Sequence, residues 1–204
     1  MHLVTPRLTL RPYSMDHLPV MNRWANDAEL NYYDDDGPLP PEGIPLEATG
    51  DMLRGLVAAY DRSIIRFAIH NGNDDSCIGL CMIALIDRHN KRCNIGISIG
   101  EKDQWGLGYG REALRALVEH SFGALGMNRI GAEVYAYNER SLRLFSSIGF
   151  VREGLIRQAV CKRGEYADSV ILGLLKSDHL AGPGTGCDKS QHSPSQKRRA
   201  DTYA

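Results

Sequence analysis

The chain has 204 residues, of which 43% are hydrophobic and 24% charged, with a formal net charge of -1. This fits one globular domain with an appendage, able to bury a full core. A near-neutral balance argues against direct nucleic-acid binding, which needs clustered Lys and Arg against phosphate.

The opening, MHLVTPRLTLRP, lacks the apolar core of a signal peptide. Leu8 and Leu10 alternate with Thr9 and Arg11, predicting a strand over about Arg7 to Pro12. Asp16 can cap a helix to about Asn26, with Pro19 in its first turn, where a missing N–H costs little. The Pro-, Gly- and Asp-rich NYYDDDGPLPPEGIPL reads as a loop. A second helix is predicted from about Leu46 to Asp61.

Three strands follow: SIIRFAIHN, the nearly all-apolar CIGLCMIALID, and CNIGISIG. The last puts Cys93, Ile95, Ile97 and Ile99 on one face and Asn94, Gly96, Ser98 and Gly100 on the other. A face of such small residues admits something close to its backbone, either a ligand or a tightly packed helix. QWGLGYGR then leads into a helix predicted to end at Gly126. RIGAEVYAYN is another strand, with Glu133 on the face opposite its apolar side. Asn138 can cap a short helix whose inward face reads Ser141, Leu144, Phe145 and Ile148. LIRQAVCK and YADSVILGLL form a closing hairpin. The expected fold is mixed α/β (α+β), a single, mostly antiparallel sheet flanked by helices, over residues 1–180. Residues 181–204 have almost no large apolar side chains and are expected to be a disordered tail.

The cysteines are Cys77, Cys81, Cys93, Cys161 and Cys187, with no Cys-x-x-Cys. The odd number and the spacing suggest neither a disulfide framework nor a zinc knuckle. Cys93 and Cys161 sit in apolar alternations and are expected to be buried thiols. No apolar run is long enough to span a membrane, so a cytoplasmic protein without a membrane partner is expected.

A strand, a glycine-rich turn and a helix start make an anion site, because unpaired N–H groups and the helix dipole both favour negative charge. The nucleoside-triphosphate loop needs Gly-Lys-Ser/Thr, but Gly110 is followed by Arg111 and Glu112. The dinucleotide loop needs Gly-x-Gly-x-x-Gly after a first strand, but Gly106, Gly108 and Gly110 are spaced Gly-x-Gly-x-Gly and come late.

IGISIGEKDQWGLGYGREAL resembles the cofactor-binding strand, loop and helix of the GNAT N-acyltransferases, and NERSLRLFSSIGFVREG their second motif. TPRLTLRPYSMDHLPVMNRWAND and GEYADSVILGLL resemble the opening and closing segments of the branch containing the ribosomal-protein N-alpha-acetyltransferases. The four segments cover about residues 3 to 177 in the family's order. The resemblance implies an N-acetyltransferase using acetyl-coenzyme A. It implies that the Ser98, Ile99 and Gly100 backbone pairs with the pantetheine arm, and that the N–H near Ile99 or Gly100 polarises the acetyl carbonyl. It implies pyrophosphate on the backbone N–H groups of Gly106, Leu107, Gly108, Tyr109, Gly110 and Arg111, and the pantetheine amide on Asn138. Trp105 stands where the family's first loop position is usually Gln or Arg, and reads as a packing wedge.

Acetyl transfer needs a neutral amine and a stabilised carbonyl oxygen, with optional protonation of the leaving thiolate. Many relatives place a Tyr acid where this chain has Phe145. Ser141 matches the serine of the ribosomal-protein branch; a backbone hydrogen bond one helical turn back is its structural alternative. Glu133 is the candidate base, ahead of Glu101 and Glu153. On the acceptor side, the segment holding Tyr32, Tyr33, Asp34, Asp35 and Asp36 suggests a cationic amine: a protein N-terminus, an aminoglycoside or a polyamine; a merely solvated loop is the more common role of such an acidic run. A homodimer is compatible with this reading. The alternatives are a non-catalytic acyl-coenzyme A sensor or scaffold, and a nucleotide-phosphate binder.

Overall fold

The computed structural model describes residues 1–33, 39–58 and 61–181. The strands are β1 (Leu3–Val4), β2 (Leu8–Pro12), β3 (Ile65–Asn71), β4 (Cys77–Asp87), β5 (Arg92–Ile99), β6 (Arg129–Tyr135), β7 (Val151–Lys162) and β8 (Glu165–Leu175). They form one sheet in the order β1-β2-β3-β4-β5-β6-β8-β7. Every neighbouring pair is antiparallel except β5 and β6. The helices are α1 (Leu18–Ala25), α2 (Ala28–Tyr33), α3 (Leu46–Ala58), α4 (Tyr109–Phe122), α5 (Glu139–Ser146) and α6 (Lys176–Ala181). No described helix is long and apolar enough to cross a membrane.

The nearly all-apolar β4 is central, as its composition predicts. The main core forms where α4 lays Ala113, Leu114, Leu117 and Val118 against Leu10, Phe67, Ile83 and Ile130 of the strands. A smaller core of Met21, Trp24, Leu30 and Leu53 joins α1, α2 and α3 beside Leu80 of β4.

Parallel pairing of β5 with β6 covers only Arg92↔Arg129, Cys93↔Ile130 and Asn94↔Gly131. Beyond these residues β5 stays with β4 and β6 with β8, and the sheet opens into a wedge.

Several local features differ from expectation. A 3-10 turn, Met15–His17, precedes α1 and is capped by Ser14, not Asp16, because the His17 ring accepts the Ser14 N–H. The expected loop contains α2. Asp27 caps it through the N–H groups of Glu29 and Leu30, but six residues are too few for a clear periodic signal. Gly123 follows the last residue of α4, while Gly126, with φ 67, serves the next turn. β7 starts at Val151 and is an outer strand exposed along most of its length, so Cys161 is exposed, whereas Cys93 is buried as expected. The tail from Gly182 onward lies outside the described residues.

Gly100 illustrates close packing. An added Cβ would lie 2.2 Å from Cε2 of Trp24, so α1 packs directly on the end of β5. Trp24 also donates its indole N–H to Glu101 Oε1 at 2.9 Å. Overpacking of this kind costs about 1–3 kcal/mol. Gly100→Ala should therefore lower stability in urea unfolding by about that amount. An unchanged midpoint and slope would contradict the packing.

Candidate active site

The wedge between β5 and β6 opens into a cleft of about 770 Å³. Its walls include Ile97, Ser98 and Ile99 of β5, Glu133 and Tyr135 of β6, the glycine loop, and Asn138 and Ser141 at the start of α5.

Backbone alternation decides what β5 presents there. Gly100 donates its N–H to Ile78 O of β4 at 3.0 Å, and the register runs on through Leu80↔Ser98 and Met82↔Gly96. Successive residues of a strand direct their N–H and C=O groups to opposite sides. The N–H groups of Ile97 and Ile99 therefore face away from β4, into the wedge. Gly100 is covered by Trp24 and its N–H is engaged, so of the three expected backbone positions Ile99 is the one with a donor for the cleft.

Trp105 is more than a wedge. Its indole N–H donates to Ile99 O at 2.7 Å, fixing the loop to the strand end, and the Arg140 guanidinium lies 3.6 Å above its ring. Arg140 also lies 5.4 Å from the Tyr33 ring and so spans the loop and α2. A cation in the first turn of a helix opposes the dipole. That local anomaly is the signal by which sequence reasoning could have singled out Arg140.

Two loop glycines are required by conformation: Gly106 has φ 78 and Gly108 φ 86, the latter directly before α4. Gly110 is not. Its φ is negative and an added Cβ would make ordinary contacts at 3.5 Å with Leu144 and 3.7 Å with Ile99. Its missing side chain leaves room on the cleft side of the helix start, where the N–H groups of Tyr109, Gly110 and Arg111 precede the helix's first internal bond, Glu112 N–H to Gly108 O. The loop and helix start therefore fit a pyrophosphate. The Leu107 side chain is exposed and its carbonyl accepts from Arg7 Nη1 at 3.0 Å. The Arg111 side chain reaches Ser147 Oγ at 3.0 Å, joining α4 to α5.

Arg7 and Glu112, neither of them marked by the sequence, brace this loop. Glu112 accepts from Thr5 Oγ1 at 2.6 Å, from Arg7 N at 2.9 Å and from Arg7 Nε at 2.7 Å. Partial burial opposes ionisation of Glu112, but these donors outweigh it and hold its carboxyl below the ordinary value.

Asn138 caps α5, its Oδ1 accepting Ser141 N–H at 3.1 Å, and its Nδ2 has no partner among the described residues. The Ser141 hydroxyl makes no bond one turn back and is unpartnered among the described residues. Phe145 is core, edge-on to Phe150 at 5.0 Å. Glu133 is exposed in the cleft and without a described partner. By contrast, Glu101 is held by Trp24 and Arg23, and Glu153 by Arg129. Tyr13, also missed in sequence, lines the cleft as well; burial first, then the Cys81 thiol, pushes its phenol well above the usual value and keeps it protonated.

On the acceptor side the structure brings Tyr33, not Tyr32, to the cleft. Tyr32 lies behind, its ring 4.8 Å from Tyr137 and its carbonyl accepting the Tyr137 hydroxyl at 2.8 Å. Asp34, Asp35 and Asp36 lie outside the described residues.

The acetyltransferase (GNAT) domain model matches residues 7–151. The chain belongs to this family. An uncharacterised N-acetyltransferase, p20 of Bacillus licheniformis, is 31% identical over 178 residues, covering 87% of this chain and 97% of that protein. A crystal structure of spermidine N-acetyltransferase from Vibrio cholerae with coenzyme A and spermine superimposes with a TM-score of 0.74 at 21% identity, covering 86% of this chain and 99% of that one. A ribosomal L7/L12 alpha-N-protein acetyltransferase in complex with coenzyme A has the same TM-score at 22% identity, covering 86% and 98%. The fold is that of this family, and the chain is an acetyl-coenzyme A-dependent N-acetyltransferase.

The carboxyl of Glu112 titrates lower in the folded chain than its ordinary 4.5. The stabilisation it provides is fully present above that value and is lost as pH falls through the lowered one. Glu112→Gln should weaken coenzyme A binding at neutral pH by loosening the loop. It should also flatten the loss of stability seen in the parent below about pH 4.5. Equal acid sensitivity in variant and parent would remove Glu112 from this role.

Proposed function

We propose that the acceptor is a primary amine, with a peptide or protein N-terminus as the preferred class, acetylated by direct attack within a ternary complex. One observation carries the mechanism: the parted strands put the Ile99 N–H, the Ser141 hydroxyl and the Glu133 carboxylate, all unpartnered among the described residues, around one cleft.

Ile97 and Ile99 offer backbone hydrogen bonds to a pantetheine arm lying along β5, as an added strand would. Asn138 offers Nδ2 to an amide carbonyl of that arm. The Ile99 N–H donates to the thioester carbonyl oxygen as negative charge grows there, a form of stabilisation that acts on the transition state. Glu133 accepts the proton released by the attacking amine, directly or through water. As the carbon–nitrogen bond forms and the carbon–sulfur bond breaks, Ser141 donates a hydrogen bond to the departing sulfur. A thiol pKa near ~8.5 makes full proton transfer there unnecessary. Holding both substrates in one cleft supplies much of the acceleration.

The preference for a peptide rests on the balance of groups around the cleft. Leu30, Leu80, Met82 and Tyr33 make an apolar wall. Arg140, in the cleft lining, lies 5.4 Å from the Tyr33 ring. A polyamine brings several positive charges past this cation, whereas a peptide N-terminus brings one beside an apolar side chain. The named acceptors of the two solved structures span these classes.

Coenzyme A release across a panel of N-terminal peptides, spermine and an aminoglycoside tests this reading. Peptides should turn over fastest; faster release with spermine or the aminoglycoside would overturn the preference. Ser141→Ala should lower kcat with coenzyme A affinity unchanged, by about tenfold if loss of a hydrogen bond to the sulfur costs about 1.4 kcal/mol. An unaltered rate would reduce Ser141 to a structural residue. Gly108→Glu should abolish coenzyme A binding in calorimetry, and unchanged affinity would refute the pyrophosphate siting.

A further inference from the structure

Away from the acetyl-transfer cleft, three side chains with metal-ligating atoms converge. His17 ends the 3-10 turn before α1, His70 lies near the end of β3 and Cys77 opens β4. His70 and Cys77 are register partners across the β3–β4 pair, so their side chains share a face. The ring of His17 lies edge-on to that of His70, their centroids 5.2 Å apart. Its Nε2 is 3.0 Å from Nε2 of His70, and the three ligand atoms lie within 4.8 Å of one another.

Hydrogen bonding sets the protons of this cluster. Ser14 N–H points at Nδ1 of His17 at 2.9 Å, so neutral His17 carries its proton on Nε2. Nδ1 of His70 faces the Asp75 carbonyl at 2.9 Å, so that nitrogen carries the proton and Nε2 presents a bare lone pair. A backbone carbonyl behind one imidazole nitrogen is the usual arrangement that orients the other toward a metal. Both rings are buried. Burial, and then the neighbouring His70, lowers the His17 pKa, favouring a neutral ring. A groove of about 760 Å³ runs alongside, lined in part by Tyr13, His17, His70, Asp75 and Cys77, and gives an ion a way in.

We propose that Nε2 of His17, Nε2 of His70 and Sγ of Cys77 form a binding site for a divalent transition-metal ion of the zinc class, with a fourth position open to the groove. Two imidazoles and a thiolate select zinc, cobalt or nickel over magnesium or calcium, which prefer oxygen. Metal–nitrogen distances of about 2.0–2.1 Å and metal–sulfur distances of about 2.3 Å put tetrahedral ligand atoms roughly 3.3–3.6 Å apart. The two nitrogens, 3.0 Å apart, lie just inside that edge, while the three-atom set spans up to 4.8 Å, so the rings must part slightly and the Cys77 thiol must swing inward to close on the ion. Binding displaces the Cys77 thiol proton to solvent, a proton that burial holds on with a pKa of about 11. The His17 proton transfers from Nε2 to Nδ1; the ring must then turn away from the Ser14 N–H, 2.9 Å from Nδ1, and donate that proton in a hydrogen bond to Ser14 Oγ, now 3.4 Å away. One proton is released per ion. Cys77 adjoins Ile78, whose carbonyl holds Gly100, and His17 adjoins α1, which carries Trp24 over the same glycine. The ion therefore ties together both supports of the strand that floors the cleft.

The test uses the full chain, stripped by a chelator and then titrated with cobalt(II) and with zinc(II). The expected result is a thiolate-to-cobalt charge-transfer band that saturates at one ion per chain. Calorimetry in two buffers of different protonation enthalpy should report one proton released per zinc, and thermal unfolding should shift upward. Cys77→Ser and His70→Asn should each abolish the band while retaining coenzyme A binding, which shows that the domain is still folded. Cys187→Ser, outside the described residues, should keep it. Absence of both the cobalt band and zinc-linked heat would overturn the proposal, as would a band that survives Cys77→Ser combined with His70→Asn. Should those variants not fold, X-ray absorption on the zinc-loaded parent decides: two imidazoles and one sulfur support the site, and an oxygen-only shell overturns it.

Discussion

Beyond Asn94 and Gly131, no residue of β5 is paired with β6, and the rest of the site depends on that parting. β5 keeps its other edge on β4 and β6 keeps its other edge on β8, so each half of the sheet remains hydrogen-bonded while a row of backbone groups between them is left open. In a buried sheet such groups would be costly. Here they line a cleft and can be satisfied by a ligand with peptide-like amides. The alternation of β5 then decides which residues face the opening. Ile97 and Ile99 face the opening, while Gly96, Ser98 and Gly100 are turned toward β4.

An open wedge needs bracing, and the braces are side chains that contribute little to the main core. Trp24 covers Gly100 at the end of β5, and Trp105 ties the glycine loop to Ile99 O. Arg7 and Thr5, from the turn between β1 and β2, hold Glu112 at the start of α4. Arg111 links α4 to α5, and Asn138 caps α5 beside the cleft. Anion recognition by backbone N–H groups requires those groups to be fixed before the ligand arrives, and these contacts fix them.

The alternating and helical periodicities of the sequence made the sheet, α4 and α5 legible, and the glycine spacing marked the loop. Local features governed by long-range partners were not. The helix Ala28–Tyr33 is too short to announce itself against its proline- and aspartate-rich continuation. The small-residue face of β5 left a ligand or a packed helix open at Gly100; the structure puts Trp24 of α1 there, 76 positions earlier in the chain, a partner that no local pattern names. Trp105 was readable as a packing residue but not as a donor to Ile99, because its partner is fixed only once the loop folds back. Strand alternation ranked Glu133 ahead of Glu101 and Glu153, but could not show the partners of any of them. Only the fold shows that the last two are held by cations while Glu133 has no described partner. His17, His70 and Cys77 carry no shared motif, and strand register together with the 3-10 turn brings them together.

Amide hydrogen exchange, followed residue by residue with and without saturating coenzyme A, tests the central claim most directly. The account predicts that Ile97 and Ile99 exchange readily in the free protein and become protected in the complex, while Ser98 and Gly100, already bonded to β4, change little. Unchanged exchange at Ile97 and Ile99 in a complex shown by calorimetry to be saturated would contradict it.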